Sequence, residues 1–354
     1  MITGIICEFN PFHKGHKYLF NEVKKDNNDR IICVMSGNLV QRGEFAVYDK
    51  FQRAKTAVKN GADLVVELPC AYSTLSAEGF AKAGVTLLEK MNVVEQIAFG
   101  CECDDKNELE RVANEIIDKN DDILAELKKG VSYPVARRNV INSAILDTPN
   151  NILAIEYIKA TSLPFLPVKR IGKGHDTDDI NYSASAIRST LSLDNISSMK
   201  NCELAILSKL RTMTSDDFLK FDDVSEGLEN RIVDAVKIST SLDELYENIK
   251  SKRYTHSRIR RIILRAYMGI TKNQPSSPPY IRILAFNDKG RELLAQIKKR
   301  SNLPIISRYN DVSNLDAPAK ELFELECKVT DLYNLGYKKP LPCGTEQRSK
   351  VEIL

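Results

Sequence analysis

The chain has 354 residues, of which 43% are hydrophobic and 28% are charged, and its formal net charge at pH 7 is only +3. This length exceeds one ordinary domain, and the composition excludes a disordered or fibrous protein. No apolar stretch is long enough to cross a bilayer, and no signal-like segment opens the chain. We therefore expect a cytoplasmic protein with two domains and no membrane partner.

The eight cysteines are scattered along the chain, and none forms a C-x-x-C pair. We expect buried, reduced thiols. Cys101 and Cys103 could together bind a soft metal ion, but a structural zinc site would need two further ligands at a suitable spacing. The sequence therefore predicts no metal site.

The first twenty residues predict a strand, a tight loop and the start of a helix. The apolar run Thr3–Cys7 ends before Pro11, and apolar residues return at helical spacing from Leu19. His13 and His16 fall at the loop-to-helix junction, where free N–H groups and the helix dipole favour phosphate. Imidazole N–H groups there would stabilise charge that develops during adenylyl transfer. The H-x-G-H spacing resembles the signature of the nucleotidyltransferase superfamily; two surface histidines in a turn, or a metal-binding pair, are the alternatives.

The next part of the chain alternates strands and helices, which predicts a parallel sheet covered on both faces. Strands are predicted at 31–35, 64–68 and 93–99, with helices at 49–60 and 76–91 between them. Ligands bind beyond the carboxyl ends of such strands, so Gly100 is a candidate for close approach to a base or ribose. The polar loop 36–44 either closes over substrate or is a plain surface loop.

Residues 130–188 carry further polar signals. Helices are predicted to open near Tyr133 and at Asn150, where Asn151 caps the helix, binds nucleotide or does both. A strand at 165–171 would place Arg170 and Lys173 where strand ends face phosphate. The hydroxyl-rich segment 182–188 opens another helix, and Ser185 and Arg188 there resemble the second nucleotide-binding motif of adenylyltransferases.

After residue 195 the pattern becomes mostly helical, with helices predicted at 203–213, 228–239, 242–250, 288–300 and 318–335. Short strands are predicted at 281–286 and 304–307. The run 252–265 is basic and contains no acid. Arg258, Arg261 and Arg265 can share one helix face there, which suits an RNA phosphate track; a solvated helix face is the alternative.

Four motifs taken together narrow the resemblance to one family. They are the segments 8–13 (EFNPFH), 35–44 (MSGNLVQRGE), 60–69 (NGADLVVELP) and 150–153 (NNIL). The chain resembles the tRNA(Met) cytidine acetate ligases over most of its length, although the tail after Gly336 matches no motif. The resemblance implies that ATP and acetate form acetyl-adenylate, and that the acetyl group passes to the exocyclic amine of the wobble cytidine of elongator tRNA(Met). Mg²⁺ is expected to accompany ATP.

The resemblance and the paired motifs also assign site residues. His13 and His16 are the expected catalytic residues, and Arg258, Arg261 and Arg265 are the expected tRNA contacts. The expected ATP contacts are Ile6, Cys7, Glu8, Phe9, Asn10, Pro11, Phe12, His13, Lys14, Gly15, His16, Lys17, Tyr18, Leu19, Gly100, Asn151, Arg170, Ile171, Ser185 and Arg188.

The expected fold is α/β, with a Rossmann-like parallel sheet in a nucleotidyltransferase domain (1–190) followed by a mostly α-helical tRNA-binding domain (195–354). Two other functions fit parts of this pattern. A small-molecule adenylyltransferase would share the N-terminal site but would not need the basic helix. A non-catalytic nucleotide-sensing RNA-binding protein would keep both features. A class I aminoacyl-tRNA synthetase fits less well, because no lysine-rich K-M-S-K-S-like loop is present.

Overall fold

A computed structural model describes residues 1–171, 183–225 and 227–354. Its strands are β1 (Ile2–Cys7), β2 (Arg30–Ser36), β3 (Leu39–Val40), β4 (Glu44–Phe45), β5 (Leu64–Leu68), β6 (Gln96–Cys101), β7 (Phe165–Lys169), β8 (Ile281–Phe286), β9 (Ile305–Ile306) and β10 (Glu352–Ile353). The predicted strands at 64–68 and 281–286 are confirmed at both ends, whereas the strand predicted at 93–99 begins and ends later.

The main sheet has the strand order β10-β8-β5-β2-β1-β6-β7, with β9 paired to the outer side of β8. β1 lies at its centre, parallel to both β2 and β6. The strand order reverses direction at β1, since the chain moves from β1 to β2 and β5 on one side and then to β6 and β7 on the other. Such a reversal opens a crevice at the carboxyl ends of the strands.

The helices cover both faces of the sheet and build the C-terminal part. They are α1 (Lys14–Val23), α2 (Lys50–Lys59), α3 (Cys70–Ser73), α4 (Ala77–Lys90), α5 (Lys106–Asp118), α6 (Asn120–Leu127), α7 (Tyr133–Val140), α8 (Pro149–Ala160), α9 (Ala184–Thr190), α10 (Glu203–Arg211), α11 (Ser215–Phe218), α12 (Leu228–Ile238), α13 (Leu242–Ile249), α14 (His256–Met268), α15 (Asp288–Arg300), α16 (Ala317–Tyr333) and α17 (Thr345–Arg348). Asp49 and Ser76 cap α2 and α4 with their side chains, which explains why these two predicted helices begin where they do.

The sheet does not stop at the predicted domain boundary near residue 190. β8 pairs antiparallel with β5, and β10, from the tail after Gly336, pairs parallel with β8. The sheet is therefore mixed at this edge, where the sequence predicted parallel strands throughout. The division into two domains stays a prediction, and the C-terminal part contributes an edge to the N-terminal sheet.

A buried charge cluster joins this edge to the centre of the protein. Lys50, at the start of α2, contacts Glu67 of β5 at 2.7 Å and Glu346 of α17 at 2.7 Å, and Glu346 also contacts Arg282 of β8 at 3.3 Å. Burial lowers the pKa of the Lys50 ammonium, but the carboxylates of Glu346 and Glu67 raise this pKa by a larger amount. The ammonium therefore stays charged. The cluster fixes the C-terminal tail against β5 and α2.

The cysteines form no disulfide, and most are buried, as predicted, while Cys343 is exposed. None of the helices in the described ranges combines the length and the apolar character that crossing a membrane requires.

Candidate functional site

The loop between β1 and α1 places two imidazoles at the N-terminus of α1. Phe9 turns the chain with φ of 45°, a conformation that a non-glycine residue adopts only at a cost. Its ring is 1% exposed and packs edge-on against His16, with ring centroids 4.9 Å apart. The imidazoles of His13 and His16 stack with centroids 3.7 Å apart. The strained turn therefore holds both rings in one place.

The hydrogen bonds of the two rings decide which nitrogen carries the proton. Nδ1 of His13 accepts the backbone N–H of Gly15 at 3.1 Å, and Nδ1 of His16 accepts the backbone N–H of His13 at 3.2 Å. A neutral imidazole has one donor and one acceptor, so both rings carry their proton on Nε2. The reciprocal bonds form a capping box and leave the two Nε2–H groups as donors at the positive end of the helix dipole.

Both imidazoles are neutral at pH 7. Burial, with the charges of Arg170 and Arg188, lowers the pKa of His13 to about 4. Burial, His13 and Arg170 lower the pKa of His16 well below its ordinary value. The two rings therefore act as neutral hydrogen-bond donors rather than as cations.

We expect an NMR titration of the histidine ring protons to show this directly. His13 should titrate near pH 4, well below the range of an ordinary imidazole. As the pH falls, the unfolded chain binds protons on these imidazoles at a higher pH than the folded chain does. Folding stability should therefore decrease as the pH drops from about 6.5 toward 4. An ordinary pKa for His13 would contradict the buried, neutral pair.

The two imidazoles lie on the wall of a cleft of about 960 Å³ at the carboxyl ends of the strands. Predicted ATP contacts on this wall are Ile6, Cys7, Glu8, Phe9, Asn10, His13, Gly15, His16, Tyr18, Leu19, Gly100, Arg170, Ile171, Ser185 and Arg188. The structure thus brings most of the predicted set together. Pro11, Phe12, Lys14, Lys17 and Asn151 do not line the cleft, and the predicted phosphate contact Lys173 and the rest of 172–182 lie outside the described residues.

Arg188, on α9, fixes the loop that carries the histidines. Its guanidinium donates to the backbone carbonyl of Asn10 at 2.7 Å and to Oγ of Ser185 at 3.1 Å. Ser183 caps α9 by accepting the N–H of Ala186, as predicted for this segment. Arg170 follows β7 and lines the same cleft, and its charge, like that of Arg188, lowers the pKa of His13. Two guanidinium groups therefore lie near the imidazole donors, an arrangement that suits a polyphosphate.

Gly100 and Asn151 have different roles. A Cβ at Gly100 would have Arg170 Cγ, at 3.6 Å, as its only neighbour within 4 Å in the described structure, so the space beside Gly100 is open to the cleft. Asn151 was predicted to cap α8 or to bind nucleotide. It is 3% exposed, and its side-chain oxygen accepts the backbone N–H groups of Glu102 and Cys103 at 2.9 Å. Asn151 therefore shapes the loop after β6 from within α8.

The loop 36–44 contributes to the cleft wall, although Arg42 within it is exposed. Val40, Gln41, Arg42 and Glu44 line the cleft, and the loop includes the β3–β4 hairpin. Buried Arg53 fixes its base by donating to the backbone carbonyls of Glu8, Ser36 and Gly37. The sequence alone did not decide whether this loop closes over substrate or is a plain surface loop.

The basic helix α14 differs from its prediction. Arg265 is 1% exposed, and its guanidinium pairs with Asp222 and donates to the Ala71 carbonyl at 2.9 Å and to Thr74 at 2.8 Å. It is therefore not available to a phosphate, which corrects the expectation that it shares an accessible face with Arg258. Arg261 is 8% exposed and pairs with Asp223 at 3.0 Å.

Arg258 and Arg261 nevertheless line the same cleft as the histidines. Arg258 is half-buried and donates to the backbone carbonyl of Asp223 at 2.6 Å. Gly43, with φ of +81°, lets the β3–β4 turn approach the backbone of α14, because a Cβ there would lie 2.4 Å from the Arg261 nitrogen. The cleft thus extends from the H-x-G-H turn to α14.

Sequence reasoning missed a second set of cleft residues on α7 and α8. Arg137, Glu156 and Tyr157 line the cleft although the sequence predicted only helices there. The charged pair lies 19 residues apart along the chain, and no local motif marks it. Among the described residues no group of three or more potential metal ligands comes together, so Cys101 and Cys103 gain no further ligands.

Comparisons with known proteins agree with this geometry. The HIGH Nucleotidyl Transferase family matches residues 1–203 and 191–348. The tRNA(Met) cytidine acetate ligase of Acetivibrio thermocellus is 37% identical, with 96% of each chain covered, and that of Clostridium perfringens is also 37% identical, with 94% of each covered. A crystal structure of Thermotoga maritima TmcAL bound with alpha-thio ATP superposes with a TM-score of 0.88 at 31% identity, covering 100% of this chain and 99% of that one.

Proposed function

The chain belongs to the tRNA(Met) cytidine acetate ligase family, and from this premise we propose that it activates acetate with ATP and acetylates the wobble cytidine of elongator tRNA(Met). The enzyme is an ATP-dependent ligase. The observation that supports the activation step best is the stacked pair of neutral imidazoles at the N-terminus of α1, with both Nδ1 atoms used by backbone N–H groups.

The reaction is proposed to proceed in two steps. An acetate oxygen attacks the α-phosphorus of ATP, and the bond to pyrophosphate breaks, which gives acetyl-adenylate. The exocyclic amine of cytidine then attacks the acetyl carbonyl carbon. The bond to the AMP oxygen breaks, and the amine loses a proton as the amide forms. Negative charge accumulates on phosphate oxygens in the first step, which is where preorganised N–H donors contribute most.

We assign the Nε2–H groups of His13 and His16 to those phosphate oxygens. Neutral donors suit this task because their protonation does not change across the physiological pH range. Arg170 and Arg188 add positive charge beside them, and Arg188 also holds the Asn10 carbonyl, which keeps the loop in place. The open space at Gly100 suits the close approach of a base or ribose.

Mg²⁺ is proposed to enter with ATP and to be held mainly by the phosphates. The described residues contain no cluster of three or more ligating side chains, and Mg²⁺ commonly keeps several waters and only one or two protein carboxylates. Glu8 lines the cleft immediately before the histidine loop, and we assign that role to its carboxylate, which also accepts the backbone N–H of Gln41 at 2.6 Å. The ion would neutralise charge on the phosphate oxygens.

The far end of the cleft, at α14, is the proposed entrance for tRNA. Arg258 and Arg261 line this end of the same cleft that contains the histidines. A tRNA nucleotide that enters here to reach the adenylate would therefore move past these two guanidinium groups. Phosphate contacts of this kind supply affinity that does not depend on sequence. Because the substrate would be a tRNA, we also propose a cytoplasmic location.

The experiment that tests the whole proposal is acetyl transfer with purified protein, ATP, labelled acetate and tRNA transcripts. We expect label in elongator tRNA(Met) only when ATP is present, with one AMP formed per acetyl group. A transcript with uridine in place of the wobble cytidine is the matched control and should stay unlabelled. Equal labelling of both transcripts, or ATP consumption without labelling, would reject the proposal.

A further inference from the structure

Part of the cleft lining is aromatic and aliphatic, unlike the phosphate end. Phe80, Phe99, Leu153 and Tyr157 line the cleft together with Arg137 and Glu156, and we call these six residues the side pocket. The rings of Phe99 and Tyr157 lie 5.7 Å apart at 39°. Tyr157 lines the same cleft as Cys7 and Glu8 at the end of β1, and burial, with the charges of Glu8 and Cys7, raises the pKa of its hydroxyl. The side pocket therefore opens beside the residues that lead into the H-x-G-H turn.

Arg137 makes few hydrogen bonds for a buried guanidinium, although its Cζ lies 5.6 Å from the centroid of the Tyr133 ring. Arg137 is 2% exposed, and the hydrogen bond that it makes within the described ranges is a 3.4 Å contact from Nη1 to Glu156. Its Nε is buried without a partner among the described residues. Arg265, equally buried, also has an Nε without a partner, but its terminal nitrogens bond to Asp222, Ala71 and Thr74, whereas those of Arg137 have the single long bond to Glu156 among the described residues. A buried donor without a partner is costly, so this guanidinium is suited to a ligand that supplies acceptors.

We propose that the side pocket receives the flipped-out target cytosine of the tRNA and that Arg137 donates to its O2 and N3 atoms. This inference rests on the proposed function and adds the residues that would select the base. Enzymes that modify a base inside a folded nucleic acid take it out of the stack, place it against aromatic or apolar walls and bind its Watson–Crick edge. O2 and N3 of cytosine are both acceptors, and a guanidinium offers two parallel donors.

The chemistry of the pocket favours this occupant over the other two substrates. Its aromatic and aliphatic walls match a planar ring, and they exceed what the single methyl group of acetate can contact. ATP has its predicted contacts at the H-x-G-H turn, Gly100 and Arg170. With O2 and N3 bound to Arg137, the exocyclic amine remains free to reach the acetyl group. Uracil would bring an N–H at position 3 toward the guanidinium, which would oppose binding.

The test uses Arg137→Gln and Arg137→Lys, with Arg138→Gln as the matched control. Arg138 is the next residue on α7, its side chain is 64% exposed, and it pairs with Asp147 at 2.8 Å on the outer surface. Three quantities are measured: acetate-dependent ATP–pyrophosphate exchange, acetyl transfer to tRNA(Met), and binding of tRNA carrying cytidine or uridine at the target position. Thermal unfolding is followed for each protein.

We expect the wild type to bind the cytidine tRNA about 10- to 100-fold more tightly than the uridine variant. Arg137→Gln should remove this preference and lower kcat/KM for the tRNA by a similar factor, while exchange continues. Arg137→Lys keeps the positive charge next to Glu156 but lacks the planar pair of donors, so it should show an intermediate preference for cytidine. If Arg137→Gln does not fold, this variant provides the test. Arg138→Gln should behave as the wild type.

Two results would overturn the assignment of the side pocket. One is an unchanged cytidine preference in folded Arg137 variants. The other is a raised KM for acetate or ATP in the exchange assay, which would place the guanidinium in the activation step. A wild-type protein that neither exchanges pyrophosphate nor labels tRNA would instead refute the proposed function, so the two failures are distinct.

Discussion

Replacing His13 or His16 with alanine is expected to slow acetyl-adenylate formation by about 100- to 1000-fold while the fold survives. Each imidazole supplies one Nε2–H to charge that develops on the phosphates, and loss of one such donor typically costs about 3–4 kcal/mol of transition-state stabilisation. The measurement is acetate-dependent ATP–pyrophosphate exchange at saturating ATP, so that a change in kcat is separated from a change in binding.

Each alanine variant also removes a helix-capping hydrogen bond, which typically costs about 1 kcal/mol of folding stability. His13→Asn separates the two effects, since an asparagine oxygen can cap α1 but its amide does not extend as far as Nε2. His256→Ala removes the half-exposed imidazole of α14 and should leave exchange unchanged. Near-normal exchange in a folded His13 or His16 variant would disprove their role.

The second large effect is expected for α14, where two arginines of the same basic run should respond in opposite ways. Arg265→Glu should destabilise the fold by about 3–5 kcal/mol, because it places a carboxylate next to Asp222 and leaves the buried Ala71 carbonyl without its donor. Arg258→Glu should stay folded and weaken tRNA binding, with a salt dependence flatter by about one unit of slope. Urea unfolding and tRNA binding across a salt series measure the two effects.

Arg291→Glu is the matched control for this pair. Arg291 is an exposed arginine of α15 that contacts Asp288 at 3.8 Å and does not line the cleft. It should alter neither stability nor tRNA affinity by much. If Arg258→Glu binds tRNA with wild-type affinity and slope, the tRNA entrance does not lie at this end of the cleft. If Arg265→Glu is as stable as the wild type, the buried ion pair does not support the fold.

The sequence predicted the part of the site whose signals are local. The apolar run of β1, the restart of helical spacing in α1 and the two histidines between them lie within twenty residues, so the turn and its phosphate-facing end follow from short-range patterns. Asp49, Ser76 and Ser183 are capping residues next to the helices they begin, and those boundaries were predicted to within about a residue.

The errors arose where partners are distant in the chain. Helical spacing predicted one accessible face for Arg258, Arg261 and Arg265, but α14 is buried on most of its surface. The acids that neutralise Arg261 and Arg265 lie on the segment before α12. The antiparallel pairing of β8 with β5 and the contact of Glu346 with Lys50 likewise join elements that no local pattern connects. Tertiary packing, not periodicity, decides which charges stay accessible.

Acetate-dependent ATP–pyrophosphate exchange by the wild-type protein, without tRNA, tests the central claim most directly. We predict rapid exchange with acetate and little with longer or branched acids. No exchange is expected without an acid, because pyrophosphate leaves only when a carboxylate attacks the α-phosphorus. Exchange that is independent of acetate, or that requires a different small molecule, would contradict acetate activation and indicate an adenylyltransferase with another substrate.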